Sequence, residues 1–118
     1  VYQAFADYAG IALNETVHVA GVDRGALAAV ADQQGFRIHD DDSWSDIFSK
    51  VLTEAIEPNL GNYRPAILCE YPSREAALAR PKPGHPHVAE RFELYACGVE
   101  LANGFGELTD VAEQRQRF

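Results

Sequence analysis

Residues 88–118, VAERFELYACGVELANGFGELTDVAEQRQRF, decide how this chain folds. Two runs of strand character, Val88–Ala96 and Val99–Glu107, are separated by Cys97-Gly98, a two-residue connection of the length that closes a tight hairpin. With that pair at the turn, Ala96 faces Val99, Tyr95 faces Glu100 and Glu93 faces Ala102. Asp110, with Glu113 three residues on, predicts a capping box and a closing helix. This end of the chain is therefore a β-ribbon followed by a helix.

Upstream, Pro65–Tyr71 (PAILCEY) is a nearly continuous apolar run, which predicts a strand covered on both faces. A short helical turn fits Ser73–Ala79. Pro81-Lys82-Pro83-Gly84-His85-Pro86 predicts a loop, because three prolines so close together sustain neither helix nor ladder.

The first half reads as helices. Tyr2–Tyr8 is a short apolar-periodic stretch. Asp23 offers an N-cap to a stripe of Ala26, Leu27, Val30 and Ala31, and Gly35 suits the residue after its end. Trp44, Ile47, Phe48, Val51, Leu52, Ala55 and Ile56 recur at three- and four-residue steps, with Asp42 or Ser43 as cap and Pro58 as terminator. Asp40, Asp41 and Asp42 sit where a helix start favours negative charge; an acidic metal loop is the alternative. The expected class is α+β, with residues 1–58 mainly helical and 63–118 supplying a small antiparallel sheet and the closing helix. The chain contains no Met and opens in mid-pattern, so we expect a piece of a longer protein.

A formal charge of −8 argues against gripping nucleic acid, which needs a basic face, and the basic density is limited to Arg115, Arg117 and scattered residues. No apolar run approaches the roughly 20 residues that span a bilayer, so no membrane partner is expected. Cys69 and Cys97 lie in apolar, strand-like contexts and are expected to be buried, reduced thiols, which implies the cytoplasm.

The hairpin carries the chemistry. In the simple register Glu93 and Glu100 lie diagonally on one face, about 7–8 Å apart at the backbone, within reach of one shared ion. Mg²⁺ takes one or two carboxylates and completes its shell with water and phosphate oxygens. Solvent-facing carboxylates on a wet sheet face remain the alternative reading. Ala102 and Gly104 leave an open floor beside them. In an unbroken strand Asn103, Phe105 and Glu107 point away from Glu100. If all serve one site the strand must kink, so a bulge is expected between Leu101 and Gly104, where the glycines weaken regular pairing. An irregular edge strand is the alternative. Tyr95 is a candidate lining residue and Arg91 a structural one. The four histidines show no ligand spacing.

The words ERFELY, ELANGF and GELTD, with EPNLG and YPSREAALAR upstream, resemble the region preceding motif 3 of class II lysyl-tRNA synthetases, where the counterparts are DRFEFF, EIGNGF and SELND. They are closer to the shortened relatives of those enzymes, the elongation factor P lysine ligases. The resemblance implies part of a class II synthetase catalytic domain, with 1–58 as a helical insertion, in an ATP-dependent ligase. Glu93 and Glu100 match the carboxylates that hold Mg²⁺ and the ATP phosphates. Asn103 matches the residue binding the substrate carboxylate, Phe105 the aromatic lining the pocket, and Glu107 the acid paired with the substrate ammonium. None of these matches a catalytic acid or base. The implied chemistry is adenylation of lysine or β-lysine and transfer to a lysine of elongation factor P. Gly21-Val22-Asp23-Arg24 looks like the core of motif 3 but stands on the wrong side of ELANGF, and is read as a helix start.

Motifs 1, 2 and 3 are missing, so the chain alone is expected to be inactive, with an open sheet edge prone to self-association. A piece of a true lysyl-tRNA synthetase, or a non-catalytic interaction module derived from one, stay open as alternatives.

Overall fold

The computed structural model describes all residues, 1–118. A first helix, α1, opens as an α-turn over Tyr2–Ala4 and continues with π geometry over Phe5–Ala9. A two-stranded ribbon, β1 (Val17–His18) and β2 (Gly21–Val22), precedes α2 (Arg24–Gln33). Asp23 caps α2 by accepting from the Ala26 N–H at 2.9 Å, and Gly35 follows the helix with φ +90°. Arg24 donates to the carbonyls of Asp42 and His39, both at 2.9 Å, so the GVDR sequence ties α2 to the loop before the next helix.

That helix, α3 (Trp44–Val51), starts in a full capping box between Ser43 and Asp46 and runs on with π geometry over Leu52–Ile56. Pro58 closes it in a 3₁₀ turn, Glu57–Asn59. Of the acidic triplet, Asp42 accepts from the His39 N–H and from Lys50, and both hold its carboxyl below the usual range. Trp44, Ile47, Phe48 and Val51 are all buried. Each such side chain contributes about 1.5–3 kcal/mol by leaving water. Phe48 stacks between Trp44 and Phe5, with centroids 5.4 and 5.0 Å away. The Trp44 indole N–H donates to Thr16 Oγ1 at 3.0 Å, which satisfies its buried polar edge.

The helical layer packs on one face of an antiparallel sheet. Its central strand, β5 (His85–Ala96), pairs on one side with β3 (Ala66–Pro72) and on the other with β4 (Pro81–Lys82) and β6 (Val99–Phe105). Leu68, Tyr71 and Tyr95 enter the same core as the helices. The closing helix, α4, spans Val111–Arg117.

Cys97 and Gly98 both have positive φ, +50° and +75°, as a type I′ hairpin turn requires. Residues 60 and 61 clasp this end: Cys97 N donates to the Gly61 carbonyl and Gly98 N to that of Leu60, both at 2.8 Å. A Cβ at Gly61 would stand 2.5 Å from the Tyr95 carbonyl oxygen, so only glycine allows the approach.

Several expectations need correction. Both cysteines are exposed: Cys97 because it sits in the turn, Cys69 because it lies opposite Phe92 on the face that no helix covers. The 65–71 strand is covered on one face only, and Ile67 is 66% exposed. Its apolar run signals an uncovered surface rather than burial from both sides. Pro81 and Lys82 do join the sheet, pairing with Ala89 and His85. A short edge strand at a hairpin end leaves few prolines in need of an N–H. At α4 only half of the capping box forms. Asp110 accepts from the Glu113 N–H at 2.9 Å, but the Glu113 carboxylate turns to Arg117 instead. No helix is long and apolar enough to cross a membrane.

Candidate functional site

The β5–β6 register contains the feature that assembles the site. Ala96 pairs with Val99 and Tyr95 with Glu100, as the turn dictates, but Leu94 then pairs with Ala102, leaving Leu101 as an extra residue. Glu93 therefore faces Asn103 rather than Ala102, a correction to the simple register. The bulge falls at Leu101, the first residue of the interval in which a kink was expected. A bulge of this kind lets residues three apart share a side. Glu100 and Asn103 do so, with Asn103 Nδ2 donating to Glu100 Oε1 at 3.2 Å.

Beyond the bulge the alternation resumes, with Asn103 opposite Glu93 and Phe105 opposite Arg91. Glu107, two residues further, pairs with Ala79 and continues on the side of Phe105. One sheet face thus collects Arg91, Glu93, Tyr95, Glu100, Asn103 and Phe105, with Glu107 at its end. The expectation that Glu100 points away from Asn103, Phe105 and Glu107 holds only for an unbulged strand.

These groups differ sharply in environment. Glu93 is buried, at 6% exposure. Arg91 Nη2 donates to its Oε1 and the Tyr95 hydroxyl to its Oε2, each at 2.6 Å. A buried carboxylate would be costly alone, and these two charge-assisted hydrogen bonds offset that cost. Tyr95 is fully buried, and its hydroxyl is also 3.3 Å from Glu57 Oε1. Burial, and then the Glu93 carboxylate, push the Tyr95 pKa well up. Tyr71 is raised by the same two causes; Arg91 lies over its ring at 4.7 Å. Glu100 and Glu107, by contrast, are exposed, and neither forms an ion pair.

Asn103, Phe105 and Arg91 border a concavity of about 180 Å³ whose other wall is the segment Ala76–Ala79. A larger hollow, about 350 Å³, lies between Tyr2 and residues 84–88 and is bordered by none of the residues of this sheet face. The Asn103 amide, the Phe105 ring and the Arg91 guanidinium, not volume, set the smaller one apart from it. Its wall is an i→i+3 turn, Ala79 N to the Ala76 carbonyl at 3.1 Å, and Leu108 N donates to the Leu78 carbonyl at 2.9 Å. No group of three or more His, Cys, Asp or Glu side chains is arranged to enclose a metal ion anywhere in the chain.

Sequence reasoning missed the partners of Glu93. Arg91 is structural, as read, yet it also borders the concavity and donates to the Glu75 carbonyl at 2.7 Å. The i, i+2 spacing of Arg91, Glu93 and Tyr95 on one strand was the available signal, since such residues share a face. EPNLG and YPSREAALAR, which contain Glu57 and the Ala76–Ala79 wall, carried the resemblance, but nothing in them marked either as a neighbour of this face.

The profile of the tRNA synthetases of class II (D, K and N) matches residues 13–118. The chain is 42% identical over 96 residues to a Haemophilus influenzae protein named elongation factor P--(R)-beta-lysine ligase, covering 81% of this chain and 30% of that protein. A protein of the same name from Pectobacterium atrosepticum is 43% identical over 100 residues, 82% of this chain and 30% of the relative. One from Erwinia tasmaniensis is 56% identical over 63 residues, 53% of this chain and 19% of the relative. The chain thus spans less than a third of the length of these curated relatives.

Proposed function

The chain belongs to the class II tRNA synthetase family of the D, K and N type, and from that premise we propose that the whole protein carrying it is an ATP-dependent ligase for a lysine-type amino acid. In this reading the amino acid, lysine or β-lysine, is activated as an adenylate and then passed to a lysine of elongation factor P. The names of the similar proteins support that acceptor. The observation that carries the reading is the bulge at Leu101, which puts Glu100, Asn103 and Phe105 on one face with Glu93, and Glu107 at its end.

Each residue has a role its chemistry suits. Glu107, exposed and without a cationic partner, receives the side-chain ammonium, a charged hydrogen bond worth about 1.5–3 kcal/mol. The Asn103 amide donates to the substrate carboxylate, and Phe105 gives the aliphatic stem an apolar contact. The roles given to these residues are binding and orientation rather than proton transfer.

Glu100 and Glu93 would hold Mg²⁺ together with the ATP phosphates. The donor set fits: Glu100 is exposed, and its one hydrogen bond is to the Asn103 amide. Glu93 retains a free lone pair on each oxygen after Arg91 and Tyr95 are served. Mg²⁺ asks for no more than one or two carboxylates, and when bound offsets charge on the phosphates as pyrophosphate leaves.

The test is ATP–pyrophosphate exchange by the whole protein with lysine, β-lysine, aspartate and asparagine, followed by mass analysis of elongation factor P. Exchange with a lysine-type acid, weakened at least tenfold in amino-acid KM by Glu107→Gln, supports the proposal. Exchange with aspartate or asparagine alone, or charging of tRNA without modification of elongation factor P, overturns it.

A further inference from the structure

The wall of the small concavity is held largely through its backbone carbonyls. Ala76, Ala77, Leu78 and Ala79 have no polar side chain; Ala79 N closes the turn on the Ala76 carbonyl, Leu108 N serves that of Leu78, and the remaining acceptor capacity is met by donation from side chains elsewhere. Arg117, near the end of α4, supplies most of it. Its Nη1 lies 2.9 Å from the Ala76 carbonyl, 3.1 Å from that of Ala77 and 2.9 Å from that of Ala79. One nitrogen with two N–H bonds meets three acceptors, so at least one bond is shared. Nη2 donates to Glu113 Oε1 at 2.5 Å, one helical turn back, which fixes the plane of the guanidinium. The side chain is only 16% exposed, so water competes poorly for these contacts.

The same turn presents its other side to the concavity, across from Asn103 and Phe105. Just upstream, Arg91 donates to the Glu75 carbonyl. Besides the Leu108 bond and its own turn bond, the wall is thus tied by two guanidiniums, one from the helix after the ribbon and one from the ribbon's central strand.

We propose that Arg117 is a positioning residue for the amino-acid pocket, setting through the Ala76–Ala79 turn how far that wall stands from Asn103 and Phe105. This rests on the reading of Asn103 and Phe105, which border the concavity, as amino-acid-binding residues. Arg117 touches no substrate; it acts by holding backbone. A displacement of about 1 Å in a pocket wall costs up to about a hundredfold in rate, so a held wall also controls which side-chain length is accepted. Lysine at 117 supplies a point charge able to serve one or two of the carbonyls, whereas methionine keeps the stem and supplies no donor.

The experiment uses the whole protein with Arg117→Lys, Arg117→Met and, as a control on the exposed face of the same helix, Arg115→Gln. Amino-acid KM, ATP KM and kcat are measured by pyrophosphate exchange, with lysine and its one-methylene-shorter homologue ornithine, alongside thermal midpoints. Arg117→Met is expected to raise lysine KM about tenfold, leave ATP KM within about twofold, and narrow the preference for lysine over ornithine from its wild-type value. Arg117→Lys should fall between, and Arg115→Gln should match wild type. If Arg117→Met fails to fold, Arg117→Lys carries the same comparison. Lysine KM unchanged, or lysine and ATP KM rising together, overturns the proposal while the functional reading stands. A wild-type protein inert toward every lysine-type acid overturns both.

Discussion

Replacing Tyr95 with phenylalanine isolates the hydrogen bond that keeps Glu93 in place. The ring is fully buried and would stay where it is, so the change removes only the hydroxyl. A hydroxyl has one proton, and the 2.6 Å contact to Glu93 rather than the 3.3 Å contact to Glu57 receives it. Losing a hydrogen bond to a buried charge, with Arg91 remaining as the second partner, costs about 2 kcal/mol. Urea unfolding followed by the fluorescence of Trp44, the single tryptophan, measures this at pH 7.

The pH dependence gives a second check. The Tyr95 pKa is raised in the folded chain, so the folded state favours the neutral phenol. Its contribution is complete below the unfolded value of about 10 and is lost as pH climbs toward the folded value. Above about pH 10 the wild type loses about 1.4 kcal/mol per pH unit through this one group. Tyr71 adds the same slope to both proteins and cancels. The gap between wild type and Tyr95→Phe should thus start near 2 kcal/mol and close between about pH 11 and 12. A variant within about 0.5 kcal/mol of wild type at pH 7, or a gap flat from pH 9 to 11, would refute the account.

Gly61→Ala should be among the most damaging single-methyl additions. It combines φ +74° with a Cβ 2.5 Å from the Tyr95 carbonyl oxygen and 2.7 Å from Ala96 Cα, both backbone atoms. We expect at least about 3 kcal/mol of destabilisation by the same unfolding assay, and a loss under 1 kcal/mol would mean that the 57–62 segment does not clasp the hairpin. Gly104→Ala is the contrast, since its Cβ would meet only the half-exposed Phe92 ring, which can swing away; its cost should stay near 1 kcal/mol. Both thiols should react with a small disulfide reagent in the folded state, giving two equivalents per chain without denaturant. A burst of one equivalent or none would show that Cys69 or Cys97 is covered.

The elements that local chemistry controls were legible from residues alone. Ser43 with Asp46, the apolar steps of α3 and the Cys97-Gly98 turn each act within a few residues, so their outcome does not depend on distant chain. The α+β class and the family resemblance followed from the same local words. The faces of the ribbon did not. Whether Glu100 sides with Asn103 turns on one surplus residue, Leu101, and its bulge is selected by how β6 seats against β5 along the whole ladder. The Glu57 partner of Tyr95 and the wall of the concavity lay further out of reach. Arg117 meets the Ala76–Ala79 carbonyls across 38 to 41 residues, and the Tyr95 hydroxyl meets Glu57 across 38. Such contacts exist because helix and sheet pack in one arrangement, and pairwise spacing in a single chain does not encode that arrangement. The sequence therefore determined which groups could do chemistry, and the tertiary packing decided which of them meet.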